Sequence, residues 1–186
     1  FVSSNTVFSG KKPWPEENAP HCPVLDYGQQ KSNAERHILQ MTHEAGTRDL
    51  IKVVRITKIL TMDTRPIPDW INAWSRAQQV DTFEDLVIAP VTLGYIVNYL
   101  STILESQEPG CYHISGSENI NYFAFGKLLA KALGHPSSLV NKTTSIEVGV
   151  EIPYLPTYAG LGMNETTKMF GIESQTIQDV VKELCK

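Results

Sequence analysis

Residues 50–56 read Leu-Ile-Lys-Val-Val-Arg-Ile, and this short stretch decides the fold class of the chain. Four of its seven residues are β-branched, and its length is that of a single strand. A strand inside a parallel sheet is covered on both faces, so its sequence is nearly continuously apolar rather than alternating. We therefore predict a buried parallel strand at residues 50–56.

The residues before this strand predict a helix and an earlier strand. From residue 26 onward, apolar residues recur at helical spacing. They are Tyr27, Ala34, Ile38 and Met41. Residues 1–8 have the composition of a strand that ends in hydroxyl side chains, and the prolines and glycine of residues 9–26 are typical of a loop. Strand, helix and strand in this order predict a right-handed parallel crossover, which makes the fold α/β.

The second half of the chain predicts a mixture of helices and short strands. Helical patterns cover residues 91–104, 122–133 and 176–184, and another short helix follows Pro66 and Pro68. Short β-type runs lie at residues 86–89 and 111–114. We therefore expect a smaller mixed α/β part beside the sheet.

The composition excludes several classes of protein. The chain has 186 residues, of which 41% are hydrophobic and 19% charged, and its formal net charge is −4. This hydrophobic fraction is sufficient for a folded core and excludes a disordered or fibrous chain. The mild acidity argues against nucleic acid or an anionic membrane as a partner, because both bind basic patches. The apolar runs are also far shorter than the roughly 20 residues that a bilayer span needs.

The cysteines and histidines predict neither a disulfide framework nor a metal site. The three cysteines are scattered through the sequence, which favours a reducing, cytoplasmic compartment. The five histidines lack the spacing of zinc ligands and have no C-x-x-C motif beside them. We expect no metal ion in this chain.

A candidate for proton-transfer chemistry lies in residues 27–31, Tyr-Gly-Gln-Gln-Lys. Tyr27 and Lys31 are four residues apart on the predicted helix and therefore share a face. An ammonium close to a phenol favours the phenolate and makes a tyrosine usable as an acid or base at neutral pH. Ser4 lies at the end of the first predicted strand, and in parallel sheets ligands bind at the carboxyl ends of strands. The structural alternative is that Lys31 only pairs with Glu35, four residues further along the helix.

The sequence resembles the extended short-chain dehydrogenase/reductase superfamily. The segments SSNTVFSG at 3–10, PVLDYGQQK at 23–31 and VVRITK at 53–58 look like consecutive blocks of it. The similarity is to the branch of dTDP-4-dehydrorhamnose reductase and related sugar-nucleotide-binding reductases. APV at 89–91, GCYHISG at 110–116 and ALG at 132–134 fit the same branch.

The resemblance implies a fold and a function. The fold is a truncated Rossmann-type parallel sheet with a small mixed α/β substrate-binding lobe. Residues 1–60 would be the C-terminal part of the dinucleotide-binding domain with its catalytic helix, and residues 61–186 mainly the substrate-binding lobe with returning helices. The function is that of an NAD(P)-dependent reductase or epimerase that acts on a nucleotide sugar. A cytoplasmic location and a homodimer also agree with this resemblance.

The resemblance also implies roles for single residues. Tyr27 would donate a proton to the substrate oxygen as hydride arrives, and Ser4 would hydrogen-bond the same oxygen. Lys31 would tune Tyr27 and hold the nicotinamide ribose, and the backbone at Ile56 and Thr57 would bind the carboxamide. The implied catalytic residues are thus Ser4, Tyr27 and Lys31, and the cofactor residues are Tyr27, Lys31, Ile56 and Thr57. The implied substrate residues are Asn5, Thr6, Lys58, Trp70, Pro90 and Val91.

The sequence departs from this family pattern in three places. Asn5 stands where the rhamnose-pathway reductases usually have Asp, and Lys58 stands where they commonly have a Trp that packs on the sugar. Trp70 and Trp74 offer either a replacement stacking face or packing of the lobe core. The sequence lacks the acid pair that dehydratases use, so we do not expect it to catalyse dehydration.

The glycine-rich turn that binds dinucleotide phosphates is missing from the sequence. Gly160-Leu161-Gly162 is the only G-x-G, and we interpret it as a flexible turn. The chain begins with Phe1 inside a strand-like run, so we expect the front of a larger protein to be absent and the NAD or NADP site to be incomplete here. The alternatives are a non-catalytic sugar-nucleotide-binding or regulatory module of the same fold, and a structural piece without activity.

Overall fold

The computed structural model describes residues 1–44 and 51–186. The strands in these residues are β1 (Val2–Ser4), β2 (Lys52–Ile56), β3 (Lys58–Leu60), β4 (Val80–Phe83), β5 (Val87–Ile88), β6 (Pro90–Thr92), β7 (Gly110–Ile114), β8 (Ile120–Asn121) and β9 (Val140–Thr143). The α-helices are α1 (Asp26–Glu44), α2 (Ile67–Ser75), α3 (Leu93–Glu105), α4 (Tyr122–Ala132), α5 (Asn164–Phe170) and α6 (Ile177–Leu184).

The centre of the fold is a parallel sheet in the order β1-β2-β7. The chain passes from β1 through α1 to β2, and β2 pairs in parallel with both neighbours. The α/β prediction and the strand–helix–strand crossover are therefore confirmed. β2 begins at Lys52, two residues after the predicted start, and Leu50 lies outside the described residues. The third strand of the sheet comes from the second half of the chain.

The two faces of the sheet are covered in different ways. Val54 and Ile56 of β2 pack with Ile96 and Ile103 of α3 in an apolar core. Arg55 of β2 contacts the Glu35 side chain of α1 on the other face. The alternation of side chains along a strand separates these two environments.

Helix α1 forms where the sequence predicts a helix, but its buried side is not an apolar stripe. The buried residues are Gly28, Ser32 and Glu35, whereas Tyr27 and Met41 are each 54% exposed. The sheet places an arginine beneath this helix, and a buried guanidinium needs a carboxylate and other acceptors around it. The polar partner therefore decides which side of α1 faces the sheet.

Most of the remaining elements form a second packed region, whereas α5 packs against β7 of the central sheet. β3 pairs with β6 and β4 with β9 in parallel, and β5 pairs with β8 in antiparallel fashion. The core of this region lies between α2, α4 and α6. Its largest buried side chains include Ile67, Trp74, Phe125, Leu129 and Ile177. No helix in residues 1–44 or 51–186 is both long and apolar enough to cross a membrane.

Candidate functional site

Ser4 ends β1 and caps the short 3-10 turn that follows it. The Ser4 Oγ accepts hydrogen bonds from the Thr6 backbone N–H at 3.2 Å and from the Thr6 hydroxyl at 3.1 Å. Its own hydrogen faces Asn5 Oδ1 at 3.3 Å, which is a long hydrogen bond. Thr6 therefore fixes the Ser4 oxygen as an acceptor, and the Ser4 proton is the group that can be offered to a ligand.

Gly28 allows the first turn of α1 to approach the turn that follows Ser4. A Cβ atom at Gly28 would overlap the Thr6 carbonyl oxygen, so a residue with a side chain does not fit this contact. Gly28, the neighbour of Tyr27, thus packs on Thr6, two residues after Ser4. The sequence alone offered Gly28 only as part of a short motif, and its close approach is a finding of the structure.

The Tyr27–Lys31 pair lies on the exposed side of α1. The Lys31 Nζ is 5.8 Å from the centroid of the Tyr27 ring and 5.0 Å from that of Phe1. The same Nζ donates a hydrogen bond to the Val2 carbonyl oxygen at 3.0 Å. Among the described residues the Tyr27 hydroxyl has no hydrogen-bond partner. Lys31 therefore joins α1 to β1 and does not pair with Glu35, whose carboxylate binds Arg55 instead.

Beneath this pair lies a buried polar network that the sequence reasoning missed. The side chains of Arg55 and Glu35 are only 5% and 2% exposed. The Arg55 Nη2 donates to Glu35 Oε2 at 2.7 Å, and the Arg55 Nε donates to both carboxylate oxygens at 3.1 Å. Ser3, the neighbour of Ser4, donates its hydroxyl hydrogen to Glu35 Oε1. The available sequence signal was an arginine between apolar residues of a strand.

The network fixes the ring of His113 in one tautomer. The His113 Nδ1 lies 2.6 Å from the Gly162 carbonyl oxygen, which can only accept, so Nδ1 carries the hydrogen. The His113 Nε2 then accepts from the Arg55 Nη1 at 3.2 Å. Burial lowers the pKa of His113 to about 4, and the Arg55 guanidinium acts in the same direction. His113 is therefore neutral at physiological pH.

Glu35 remains ionised despite its burial. Burial alone would raise the pKa of its carboxyl, but the contacts with His21, Arg55 and Ser3 outweigh this effect and lower the pKa to about 2. Glu16, on the loop before α1, shows the opposite behaviour. Its pKa is raised by burial and by the neighbouring Glu17 carboxylate, against a hydrogen bond from the Asn164 backbone. The described residues contain no group of three or more metal-ligating side chains placed to hold an ion.

The residues predicted to hold the nicotinamide lie at the end of β2. Ile56 and Thr57 are each 5% exposed, at the same sheet edge as Ser4, with which Ile56 pairs. The Thr57 N–H donates to the Ile114 carbonyl oxygen at 3.2 Å and is not free for a carboxamide. Lys58, the next residue, is exposed and begins β3 opposite Pro90.

Asn5 and Thr6 line a cleft beside Ser4. The other side of this cleft is formed by residues 154–161, and its polar lining includes Asn5, Thr6, Ser9, Lys12, Tyr154 and Tyr158. The Asn5 Nδ2 donates to the Ala159 carbonyl oxygen at 2.8 Å and thereby joins the two sides. An aspartate at this position has no hydrogen to donate, which gives the Asn5 departure a structural reason.

The remaining predicted substrate residues are placed away from this cleft. Trp70 and Trp74 are 5% and 2% exposed and pack in the core of the second region. Trp70 also borders a second cleft with Arg65, Phe83 and Tyr122. Val91 is fully buried, and Pro90 is buried beside Gly116. The side chains of Trp74 and Val91 are therefore packing residues in this structure.

The segment Gly160-Leu161-Gly162 is a packed contact rather than a free turn. A Cβ atom at Gly160 would overlap the Trp14 ring, and one at Gly162 would meet the Glu16 carboxylate. The Gly162 N–H donates to the Pro15 carbonyl oxygen at 3.0 Å. These glycines allow residues 158–163 to lie against the loop before α1, and the interpretation as a flexible turn was wrong.

Comparison with known proteins agrees with this architecture. A family described as the RmlD substrate binding domain matches residues 1–186. Methionine adenosyltransferase 2 subunit beta from Xenopus laevis is 27% identical over 154 residues, which cover 80% of this chain and 46% of that protein.

Two solved structures illustrate the similarity of fold. A dTDP-4-dehydrorhamnose reductase from Bacillus anthracis, in complex with NADP, has a TM-score of 0.82 and 16% identity over 99% of this chain and 63% of its own. A UDP-glucose 4-epimerase from Thermotoga maritima, with UDP-glucose, has a TM-score of 0.79 and 17% identity over 100% of this chain and 61% of its own. The chain spans less than two-thirds of the length of these relatives. Its fold is that of sugar-nucleotide-binding reductases and epimerases.

Proposed function

Because the chain belongs to the RmlD substrate binding domain family, we propose that it is the substrate-binding and proton-transfer part of a reductase or epimerase. The substrate would be a nucleotide sugar and the cofactor NAD or NADP. The observation that carries this proposal is the approach of Tyr27 and Lys31 to the Ser4 strand end through the Gly28–Thr6 contact. An acid on a helix and a hydroxyl on a strand end can then meet at one substrate oxygen.

Ser4 and Tyr27 would act on the same carbonyl oxygen of the sugar. Thr6 occupies the acceptor positions of the Ser4 oxygen, so Ser4 presents its hydrogen to that oxygen. The Tyr27 hydroxyl is exposed on α1 and would transfer its proton to the same atom. General-acid catalysis of this kind contributes about 10²–10⁴-fold to the rate.

Lys31 would stabilise the deprotonated form of Tyr27 and contact the cofactor ribose. Its ammonium lies beside the Tyr27 ring, and its hydrogen bond to the Val2 carbonyl uses one of three N–H donors. The remaining donors fit a ribose hydroxyl. A bound nicotinamide cofactor supplies or accepts the hydride in such reactions. The residues of this chain fit only the nicotinamide end of that cofactor, because the sequence lacks the glycine-rich turn for its phosphates.

The division of the chain follows from the same proposal. Residues 1–60 would contribute the Rossmann part with the catalytic helix, and residues 61–186 would contribute mainly the substrate-binding lobe. Asn5 and Thr6 would contact the sugar from the cleft beside Ser4. Lys58 and Trp70 would bind more distant parts of the substrate, at the exposed start of β3 and in the second cleft. A homodimer is the proposed oligomeric state.

The proposal is tested with Tyr27→Phe in the intact protein. Turnover is measured with NADH and NADPH on dTDP-4-dehydrorhamnose, and epimerisation is measured on UDP-glucose. We expect the variant to lose about 10²–10⁴-fold in kcat while the affinity for the nucleotide sugar stays unchanged, because the ring is kept. Tyr99→Phe on α3 is the matched control and should retain full activity. A Tyr27→Phe variant with the same kcat as the wild type would contradict the proposed role of Tyr27.

A further inference from the structure

Arg55 contacts polar partners from three separate segments. A guanidinium has five N–H donors in a rigid plane. The Arg55 Nη2 donates to the Glu35 carboxylate on α1 and lies 2.6 Å from Nε2 of His21 on the loop before it. This His21 nitrogen is also 3.2 Å from Glu35 Oε2. The Arg55 Nη1 donates to the Glu17 carbonyl oxygen at 3.0 Å and to His113 Nε2 on β7. One side chain therefore links the helix, the loop and the sheet and holds them in fixed relative positions.

The Glu35 carboxylate connects this arginine to both parts of the candidate site. Glu35 lies two helical turns after Tyr27 on α1, so fixing its carboxylate fixes the rotation of the helix that presents the Tyr27 ring. The hydroxyl of Ser3 donates to the same carboxylate, and Ser3 is the backbone neighbour of Ser4. A rotation of α1 by one residue would turn its side chains by about 100°. The Glu35 carboxylate thus fixes the position of α1 relative to the end of β1.

The loop before α1 is held by the same network. The Glu17 side chain is buried, and its Oε1 accepts from the Thr166 N–H at 3.0 Å and the Thr166 hydroxyl at 2.8 Å. The Arg55 guanidinium also lies 5.2 Å from the centroid of the Phe8 ring. Residues 9, 10, 12, 15, 24 and 25 of this loop line the cleft beside Ser4. The network therefore reaches the wall of the cleft as well as the catalytic helix.

Stability alone does not require this arrangement. An apolar pair of similar volume often replaces a buried ion pair without loss of stability. An apolar pair lacks the fixed geometry of a guanidinium that binds a carboxylate through two parallel hydrogen bonds. The contacts of Arg55 are therefore better explained by the need to position α1 and the loop on the sheet than by a contribution to the stability of the fold.

We propose that Glu35 and Arg55 are positioning residues of the candidate site, which set Tyr27 on α1 against Ser4 on β1 and hold the loop of residues 9–25 along the cleft. Neither residue reaches the substrate, because both are buried beneath the helix. The catalytic part of this assignment rests on the proposed function. The geometric part stands on the contacts of the network alone.

The test uses the double variant Glu35→Leu/Arg55→Met in the intact protein, with Arg55→Lys as a second variant. The double variant removes both charges together. It is expected to be folded without urea but to unfold at a lower urea concentration than the wild type, because the Glu17 carbonyl, His113 and Ser3 each lose a hydrogen-bond partner. Measured without urea, where the variant is folded, its kcat on the nucleotide sugar should fall by about 10- to 100-fold, since small misplacements of reacting groups have effects of this size. Arg55→Lys keeps the charge but has only three donors, and should show the same loss of kcat.

The matched control is the exposed ion pair between Lys142 and Glu84, whose Nζ–Oε2 distance is 3.1 Å. The variant Glu84→Leu/Lys142→Met removes one positive and one negative charge at the surface, outside the network, and should keep the wild-type kcat. A double variant of Glu35 and Arg55 that is folded and fully active would overturn the proposal.

Hydrogen exchange separates this proposal from the proposed function. Without any substrate, the amides of residues 9–25 and of the first turn of α1 should exchange faster in both network variants, while those of β4 and β9 should not change. Unchanged exchange at residues 9–25 would overturn the positioning role even if the enzyme is active. Faster exchange in a protein whose wild type has no turnover would support the positioning role and reject the proposed function.

Discussion

Lowering the pH should destabilise this protein, and His113 determines the pH range in which stability is lost. Burial lowers the pKa of His113 from 6.5 to about 4, so the unfolded chain binds a proton at this residue before the folded chain does. Stability is then fully present above the unfolded pKa and is lost as the pH falls toward the folded one. At about 1.4 kcal/mol per pKa unit, the shift corresponds to about 3 kcal/mol of stability. The charged groups facing the ring are Arg55, Glu17 and Glu35.

The Glu35 carboxyl extends this dependence to lower pH. Its folded pKa of about 2 lies below the ordinary value of 4.5, so its contribution is present above pH 4.5 and is lost between 4.5 and 2. The two groups therefore act in the same direction but in successive pH ranges. Between the ordinary histidine pKa and the ordinary carboxyl pKa, His113 dominates.

The assay is urea unfolding followed by tryptophan fluorescence, since Trp70 and Trp74 are buried in the folded state. The free energy of unfolding should fall by about 2–3 kcal/mol between about pH 7 and about pH 4.5 in the wild type. In His113→Gln the decrease should be much smaller, because a glutamine amide can donate to Gly162 and accept from Arg55 without titrating. Parallel pH curves for the wild type and this variant would refute the reasoning.

Two further predictions concern the surroundings of Ser4. Gly28→Ala should destabilise the protein by about 2 kcal/mol or more and lower kcat, because its Cβ would overlap the Thr6 backbone. Gly149→Ala, where only the positive φ is unfavourable, should destabilise it by about 1 kcal/mol and leave kcat unchanged, as urea unfolding and steady-state kinetics will show. Asn5→Asp loses the hydrogen bond to the Ala159 carbonyl and should speed hydrogen exchange in residues 154–161, which mass spectrometry can measure against the wild type.

Local patterns in the sequence determined the first crossover of the fold. The apolar run that became β2, the helical spacing after residue 26 and the order of these elements are all set by neighbours in the chain. The shared helix face of Tyr27 and Lys31 follows from the same periodicity, since residues four apart on a helix are adjacent. The buried polar side of α1 did not follow from it, because apolar periodicity carries no information about a charged partner from another strand.

Only the tertiary structure decided the partners of the polar side chains. Arg55 meets Glu35, His21 and His113 across sequence separations of 20, 34 and 58 residues. Such contacts depend on which strand lies beside β2 and on which side of the sheet the helix packs, and periodicity does not encode either. The contact of Gly160 with Trp14 has the same origin, because two loops distant in sequence meet there. The sequence by itself therefore determined the fold class and the Tyr27–Lys31 pair, whereas packing across the sheet determined the network beneath them.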